Sequence, residues 1–177
     1  MRCWRRCAAS LAEAISLRVA TPEDAARVSA VLAASYGTLW QGAYAAEALA
    51  AVLPLVSRAR PELLASGRYF LALNGEVLVA VGGWSLEDPA TGRAMPGQGH
   101  VRHFATHPGH LRRGAAGLIL RRCLAEAEAA GVTEMLCLAS LPSEAFYAAQ
   151  GFRTLRREET RIGGRIVLPS LLMRRGG

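Results

Sequence analysis

Lysine is absent: all 21 basic side chains of the 177-residue chain are arginine, set against 14 acidic ones for a formal charge of +7. A Walker-type nucleotide loop is excluded with it, because that loop needs a lysine on the phosphates. Long apolar runs are also missing. The best stretch, residues 43–56, is broken by Glu47 and Pro54 and falls short of the roughly 18 apolar residues that a membrane-spanning helix needs. Cysteine is sparse. Cys3 and Cys7 lack a second pair at zinc spacing, while Cys123 and Cys137 lie in apolar runs and read as small core residues. No metal site is expected, and the pattern is that of a reduced, cytoplasmic chain. Arg2, Arg5 and Arg6 imitate the start of an export signal, but Glu13 and the lack of a leucine-rich core argue against export. Residues 1–14 are expected to be a loose extension or the product of a start assigned too far upstream, and residues 15–177 a single domain.

What is present suits a folded unit. Apolar residues make up 51% of the chain, enough to fill one core. The positive charge has two readings: a compositional bias of the genome, or a preference for an anionic ligand such as nucleic acid, an acidic membrane or a phosphorylated cofactor. Composition does not choose between them. The arginines are scattered and lack interleaved stacking aromatics, which ranks nucleic acid last.

Periodicity and turn signals give an order of elements. A strand is predicted over residues 15–20, then Thr21-Pro22-Glu23-Asp24 as a helix start, and helix over 25–34. Further helices are predicted over 44–53, stopping near Pro54, and over 61–65. Asn74-Gly75 marks a two-residue hairpin turn between strands 68–73 and 76–84. A Gly/Pro-rich loop over 87–99 leads to a strand at 100–106, a turn at 107–114, a helix at 115–130 and a strand at 134–139. That strand–helix–strand unit predicts parallel pairing with a right-handed crossover. A short helix over 142–150 and a last hairpin, 152–160 with 165–173 around Gly163-Gly164, complete the chain. The expected class is α/β (α+β): one mixed, mostly antiparallel sheet of about seven strands, with a central parallel βαβ unit and helices on both faces.

The turn before the long helix carries the chemistry. The first N–H groups of a helix lack internal partners and meet the positive end of its dipole. Gly114, Ala115, Ala116 and Gly117 have little side chain to shield them, and Arg112, Arg113, Arg121 and Arg122 add charge. A diphosphate suits such a nest without lysine or metal. A dinucleotide site of the Rossmann kind is disfavoured, since G-x-G-x-x-G and its following acid are missing.

These residues resemble the GNAT superfamily of acetyl-CoA-dependent N-acetyltransferases. Phe104-Ala105-Thr106-His107-Pro108 is similar to the family's strand end, and Leu111-Arg112-Arg113-Gly114-Ala115-Ala116 to its Gln/Arg-x-x-Gly-x-Gly/Ala loop. Phe146-Tyr147-Ala148-Ala149-Gln150-Gly151-Phe152 matches its Phe-Tyr-x-x-x-Gly-Phe segment. The likeness runs from about Ile15 to the end. It departs at Leu111, where Gln or Arg is usual, at Ser140, where many members carry Asn, and at His100, where the best-studied members place a general-base Glu.

The resemblance implies direct acetyl transfer from acetyl-CoA, as co-substrate, to a small-molecule or peptide amine, with no metal. It implies cofactor contacts from the backbone of Phe104, Ala105 and Thr106, from Leu111 through Gly117, and from Ser140. An alkylammonium with a pKa near 10.4 must first lose a proton. His100 is a candidate base, equally readable as a strand-end residue that caps the loop. Strand alternation places His100, Arg102 and Phe104 on one face and His103 on the other. Tyr147 is the residue expected to protonate the departing thiolate. Tyr36, Trp40, Tyr44 and Trp84 stand for an aromatic acceptor wall, or for a seal on the core. A CoA-binding module without turnover is the competing reading, and a homodimer stays open.

Overall fold

The structure, a computed structural model, describes residues 14–177. The extension read over residues 1–14, with Cys3 and Cys7, lies outside them apart from Ala14. β1 (Ser16–Val19) passes through a 3-10 turn at Pro22–Asp24 into α1 (Ala25–Leu39), followed by α2 (Ala46–Val56) and α3 (Pro61–Leu64). Then come β2 (Tyr69–Asn74), β3 (Val77–Ser85), β4 (Gln98–Thr106), α4 (Ala115–Ala129), β5 (Glu134–Ser140), α5 (Glu144–Ala149), β6 (Arg153–Ile162) and β7 (Ile166–Gly176). The strands form one sheet in the order β1-β2-β3-β4-β5-β7-β6. Among the described strands only the β4–β5 pair is parallel. This is the mixed sheet and βαβ unit that the sequence predicts.

β2 shows why both faces are covered. Its residues are buried from Tyr69 to Leu73 and divide by alternation. Phe70 and Ala72 join the core under α4, with Ile119, Leu120 and Cys123. Tyr69, Leu71 and Leu73 join the core under α1, with Val28, Leu32 and Tyr36.

Thr21 and Asp24 close a capping box at the entry to the first helix. Asp24 Oδ2 accepts from the Thr21 amide at 2.9 Å, and Arg18 grips both carboxylate oxygens at 2.6 and 2.7 Å. Arg18 first, then the Thr21 amide, holds the Asp24 pKa at about 2, below its ordinary 3.8, against the opposing effect of burial. A depressed carboxylate contributes stability above its unfolded pKa and loses it as pH falls through the folded one. Asp24→Asn is therefore expected to lose about 1–3 kcal/mol at pH 7 by urea unfolding. The gap to the parent should shrink between pH 3.8 and about 2; a gap that stays constant across that window would refute the assignment.

Three boundaries differ from expectation. α1 runs to Leu39 because Ser35 and Tyr36 are buried on the same apolar stripe and carry the helix on. Pro54 lies within the last turn of α2 and does not end it: one backbone bond is forgone, and the Ser57 amide still closes on the Leu53 carbonyl at 3.0 Å. The hairpin turn is Gly75-Glu76, since Asn74 pairs with Val77 and Gly75 takes the positive φ of +57°.

Candidate active site

The site begins where two parallel strands part. β4 and β5 pair only at Gln98–Glu134, Gly99–Met135 and His100–Leu136. Beyond His100, β4 stays on β3 and β5 stays on β7, so their facing edges open into a cleft. The His107 amide bonds the Val79 carbonyl at 2.8 Å. Antiparallel alternation then turns the N–H and C=O of Thr106 toward the open side.

A bulge shapes β4. Val81 pairs with Ala105 and Gly83 with Arg102, so His103 and Phe104 together oppose Gly82. His103 takes a left-handed φ of +48°. Two buried phenols secure the freed carbonyls. Tyr69 Oη donates to the His103 carbonyl at 2.8 Å, and Tyr36 Oη to that of Phe104 at 3.2 Å. Burial raises both phenol pKa values, which keeps them as donors. Gly82 leaves room for the Phe104 ring, which a Cβ there would meet at 2.6 Å.

The bulge corrects the alternation read from sequence. Val101 and Phe104 pack together on the α4 side, and Ala105 joins the α1 side. Phe104 thus leaves the face that His100 and Arg102 share, because the extra residue shifts the period by one.

At the far end of β4, His107 and a 3-10 turn at Pro108–His110 lead to the loop. Arg112 (φ +59°) and Gly114 (φ +82°) are both left-handed, an arrangement that turns successive amides to one side. Gly114 caps α4 with no side-chain hydrogen bond, and a Cβ on it would meet nothing within 4 Å. The first amide of α4 to find a partner is that of Leu118, on the Gly114 carbonyl at 2.9 Å. No side chain among the described residues plugs the preceding amides. The arrangement fits a bound diphosphate, with Arg112, Arg113 and Arg121 beside it.

Loop and gap share one cleft of about 990 Å³. Phe104, Ala105, Thr106, Leu111 through Gly117 and Ser140 all line it, as do Tyr147, Tyr36, Trp40 and Tyr44. Tyr36 and Trp40 stack at 4.6 Å, Trp40 leans on Tyr44 at 5.4 Å, and Tyr44 Oη accepts from the Leu141 amide at 2.9 Å. Tyr147 is buried among Phe104, Phe146 and Phe152. Its phenol neighbours the Cys137 thiol, and burial first, then that neighbour, holds its pKa well above 10. Burial pushes the Cys137 thiol up to about 12, which makes it a poor nucleophile. Ser143 Oγ donates to the Ser140 carbonyl at 2.8 Å and so receives the Ser140 hydroxyl proton, which leaves the Ser140 oxygen as an acceptor.

Two expected residues stand outside the cleft. His100 is buried; its Nδ1 lies 4.0 Å from Asp88 Oδ2, and its Nε2 has no partner among the described residues. Burial lowers its pKa despite that carboxylate. Trp84 is sealed into the α4-side core, with the Arg68 guanidinium 4.7 Å above its ring. Sequence reasoning missed the wall from β6 and β7, including Thr160, Ile162, Leu168 and Ser170. It gave His103 no part in the site and set it on the other face from His100, whereas His103 lines the cleft with its pKa pushed down to about 4 by burial and by Arg60 and Arg102. Among the described residues no Asp or Glu lines the cleft.

Comparison with known sequences decides the family. A family model described as the acetyltransferase (GNAT) family matches residues 33–152, more than half of the chain. The chain belongs to the GNAT acetyltransferases. No curated protein matches it in sequence. Among solved structures, a GCN5-related N-acetyltransferase from Rhodopseudomonas palustris superposes with a TM-score of 0.71 at 22% identity, covering 92% of this chain and 95% of that one. The PaiA N-acetyltransferase of Thermoplasma acidophilum, solved with coenzyme A, gives 0.69 at 14% identity, covering 93% and 99%. N-acetylglutamate synthase of Neisseria gonorrhoeae, complexed with coenzyme A and L-arginine, gives 0.60 at 15%, covering 92% of this chain but 33% of that one. Such likenesses place the GNAT fold on this chain. Among the described residues no helix is long and apolar enough to cross a membrane.

Proposed function

We propose that this GNAT protein is a cytoplasmic N-acetyltransferase that moves an acetyl group from acetyl-CoA to a primary amine by direct transfer, both substrates being held in one cleft. One observation carries the reading: the uncapped start of α4 opens into the same cleft that Tyr147 lines. The amides of residues 112–117, with Arg112, Arg113 and Arg121, would hold the diphosphate. Thr106 on the free strand edge and Ser140 across the gap offer partners to the amides of the pantetheine arm. When bound, acetyl-CoA supplies a thioester whose carbonyl carbon is open to an amine. Tyr147, kept protonated by burial, can give its proton to the departing sulfur. The test is calorimetry with CoA together with thiol release from acetyl-CoA over a panel of amines. Absence of heat sinks the site; heat without thiol release on any amine favours a binding module.

Of the two readings left open for His100, the loop-capping one is favoured. His100 stands outside the cleft, and the imidazole that lines it beside the bulge, His103, is too weakly basic to hold a proton at neutral pH. The acceptor then reacts from its free-amine fraction, with water taking the proton. Log kcat/KM should rise by about one unit per pH unit from pH about 6.5 toward the acceptor pKa near about 10. A plateau beginning near pH 7 would reveal a protein base and overturn this route.

A further inference from the structure

Of the arginines that line the cleft, Arg102 alone among the described residues is half-buried, and it lacks a counter-ion. Arg102 lines the cleft on β4, on the other side of the bulge from the α4 amides that suit a diphosphate. It is half-buried and donates through Nη1 to Ser85 Oγ at 2.7 Å. Ser85 Oγ in turn donates to the Glu87 carbonyl at 2.7 Å, so the serine fixes the guanidinium without neutralising it. Among the described residues Arg102 makes no ion pair.

The charges around it do not supply the missing partner. Burial lowers the Arg102 pKa, and the Arg60 cation lowers it further; Glu62, Glu87 and Asp88 oppose them from outside the cleft. Glu62 lies 3.8 Å from Arg60 Nη1. Asp88 Oδ1 takes the Ala90 and Thr91 amides at 2.8 Å. Arg60 Nε donates to His103 Nε2 at 3.3 Å, so that imidazole is neutral and brings no negative charge. A half-buried guanidinium without an anion is costly, and its planar fork is matched to carboxylate and phosphate oxygens.

We infer that the acceptor is a small amine carrying its own anionic oxygen group, a carboxylate or a phosphate, which Arg102 receives while the amine faces the Tyr147 end of the cleft. This rests on the transferase reading and narrows it. The charge selects against polyamines, aminoglycosides and basic peptide tails, which would meet Arg102 in a cleft with no carboxylate to receive them.

Two measurements separate this inference from its parent. In the first, CoA-saturated protein is titrated calorimetrically with N-acetyl amino acids against their carboxamides, across small, aliphatic and aromatic side chains. O-phosphoethanolamine against ethanolamine forms the phosphate arm. The anionic member of at least one pair should bind about ten- to a hundredfold more tightly, and the arm with the larger ratio names the group. Arg102→Gln should bring the pair within about twofold while CoA affinity holds, and Arg102→Lys should keep part of the preference. Equal binding within every pair, or a preference that survives in Arg102→Gln, overturns the inference whether or not any amine turns over. The second measurement is thiol release with the corresponding free amines. Faster transfer to neutral amines overturns the anion site alone; transfer to none, with anion preference intact in the titration, sinks the transferase reading alone.

Discussion

Ala116→Asp is expected to abolish CoA binding without harming the fold. Ala116 is the second residue of α4 and half-buried at the rim of the cleft. A carboxylate in the first turn of a helix is favoured by the dipole, by about 0.3–1 kcal/mol. The same carboxylate would occupy the amides a diphosphate needs and repel it. At roughly 4 Å and an effective dielectric of about 20, like charges cost about 4 kcal/mol each. Affinity for CoA should fall at least a hundredfold by calorimetry, while the melting temperature of the free protein stays level or rises. A general folding defect would lower both, and unchanged affinity would remove the α4 start from the site.

Tyr147→Phe is expected to lower kcat by about a hundredfold to a thousandfold, the usual worth of a positioned acid, with CoA affinity within about twofold. The ring carries the packing, being set among Phe104, Phe146 and Phe152, and phenylalanine keeps it. Only the hydroxyl and its contact with Cys137 are lost. Steady-state rates should recover partly with an acyl donor whose thiol is more acidic, since such a sulfur leaves without a proton. Equal loss with both donors would mean that the phenol orients rather than protonates.

The parts of the site that could be read from sequence are those built by neighbours in the chain. The Gly114 loop announces itself because positive φ, small side chains and a helix start fall within seven residues. The Phe146–Phe152 segment does so because one short helix and its closing glycine carry both ring packing and phenol. The βαβ crossover follows from its length.

What stayed hidden depends on distant residues. The β4 bulge is secured by hydroxyls from Tyr36 and Tyr69, 68 and 34 positions away. No pattern within 98–106 announces it, so alternation put Phe104 on the wrong face. His100 stayed open between base and loop cap because strand position alone cannot show that its imidazole meets Asp88 rather than the cleft. The cleft wall from β6 and β7 is equally remote, with Thr160 and Ser170 bonded across their own hairpin. The one-residue shift of the first turn has a local cause: glycine, not asparagine, takes the left-handed position.

The short parallel seam has a further consequence. Among the described residues, three residue pairs make up the ladder that joins the β1–β4 half of the sheet to the β5–β7 half. Deuterium uptake should therefore be fast at the Thr106 and Leu138 amides, which alternation turns toward the opening, and slow in β2, which is covered on both sides. A molecule laid across the opening stitches the two halves together. CoA should slow uptake on β4 and β5 alike and raise the unfolding temperature in proportion to the logarithm of its concentration. The missing rungs of the ladder would then be supplied by the substrate itself.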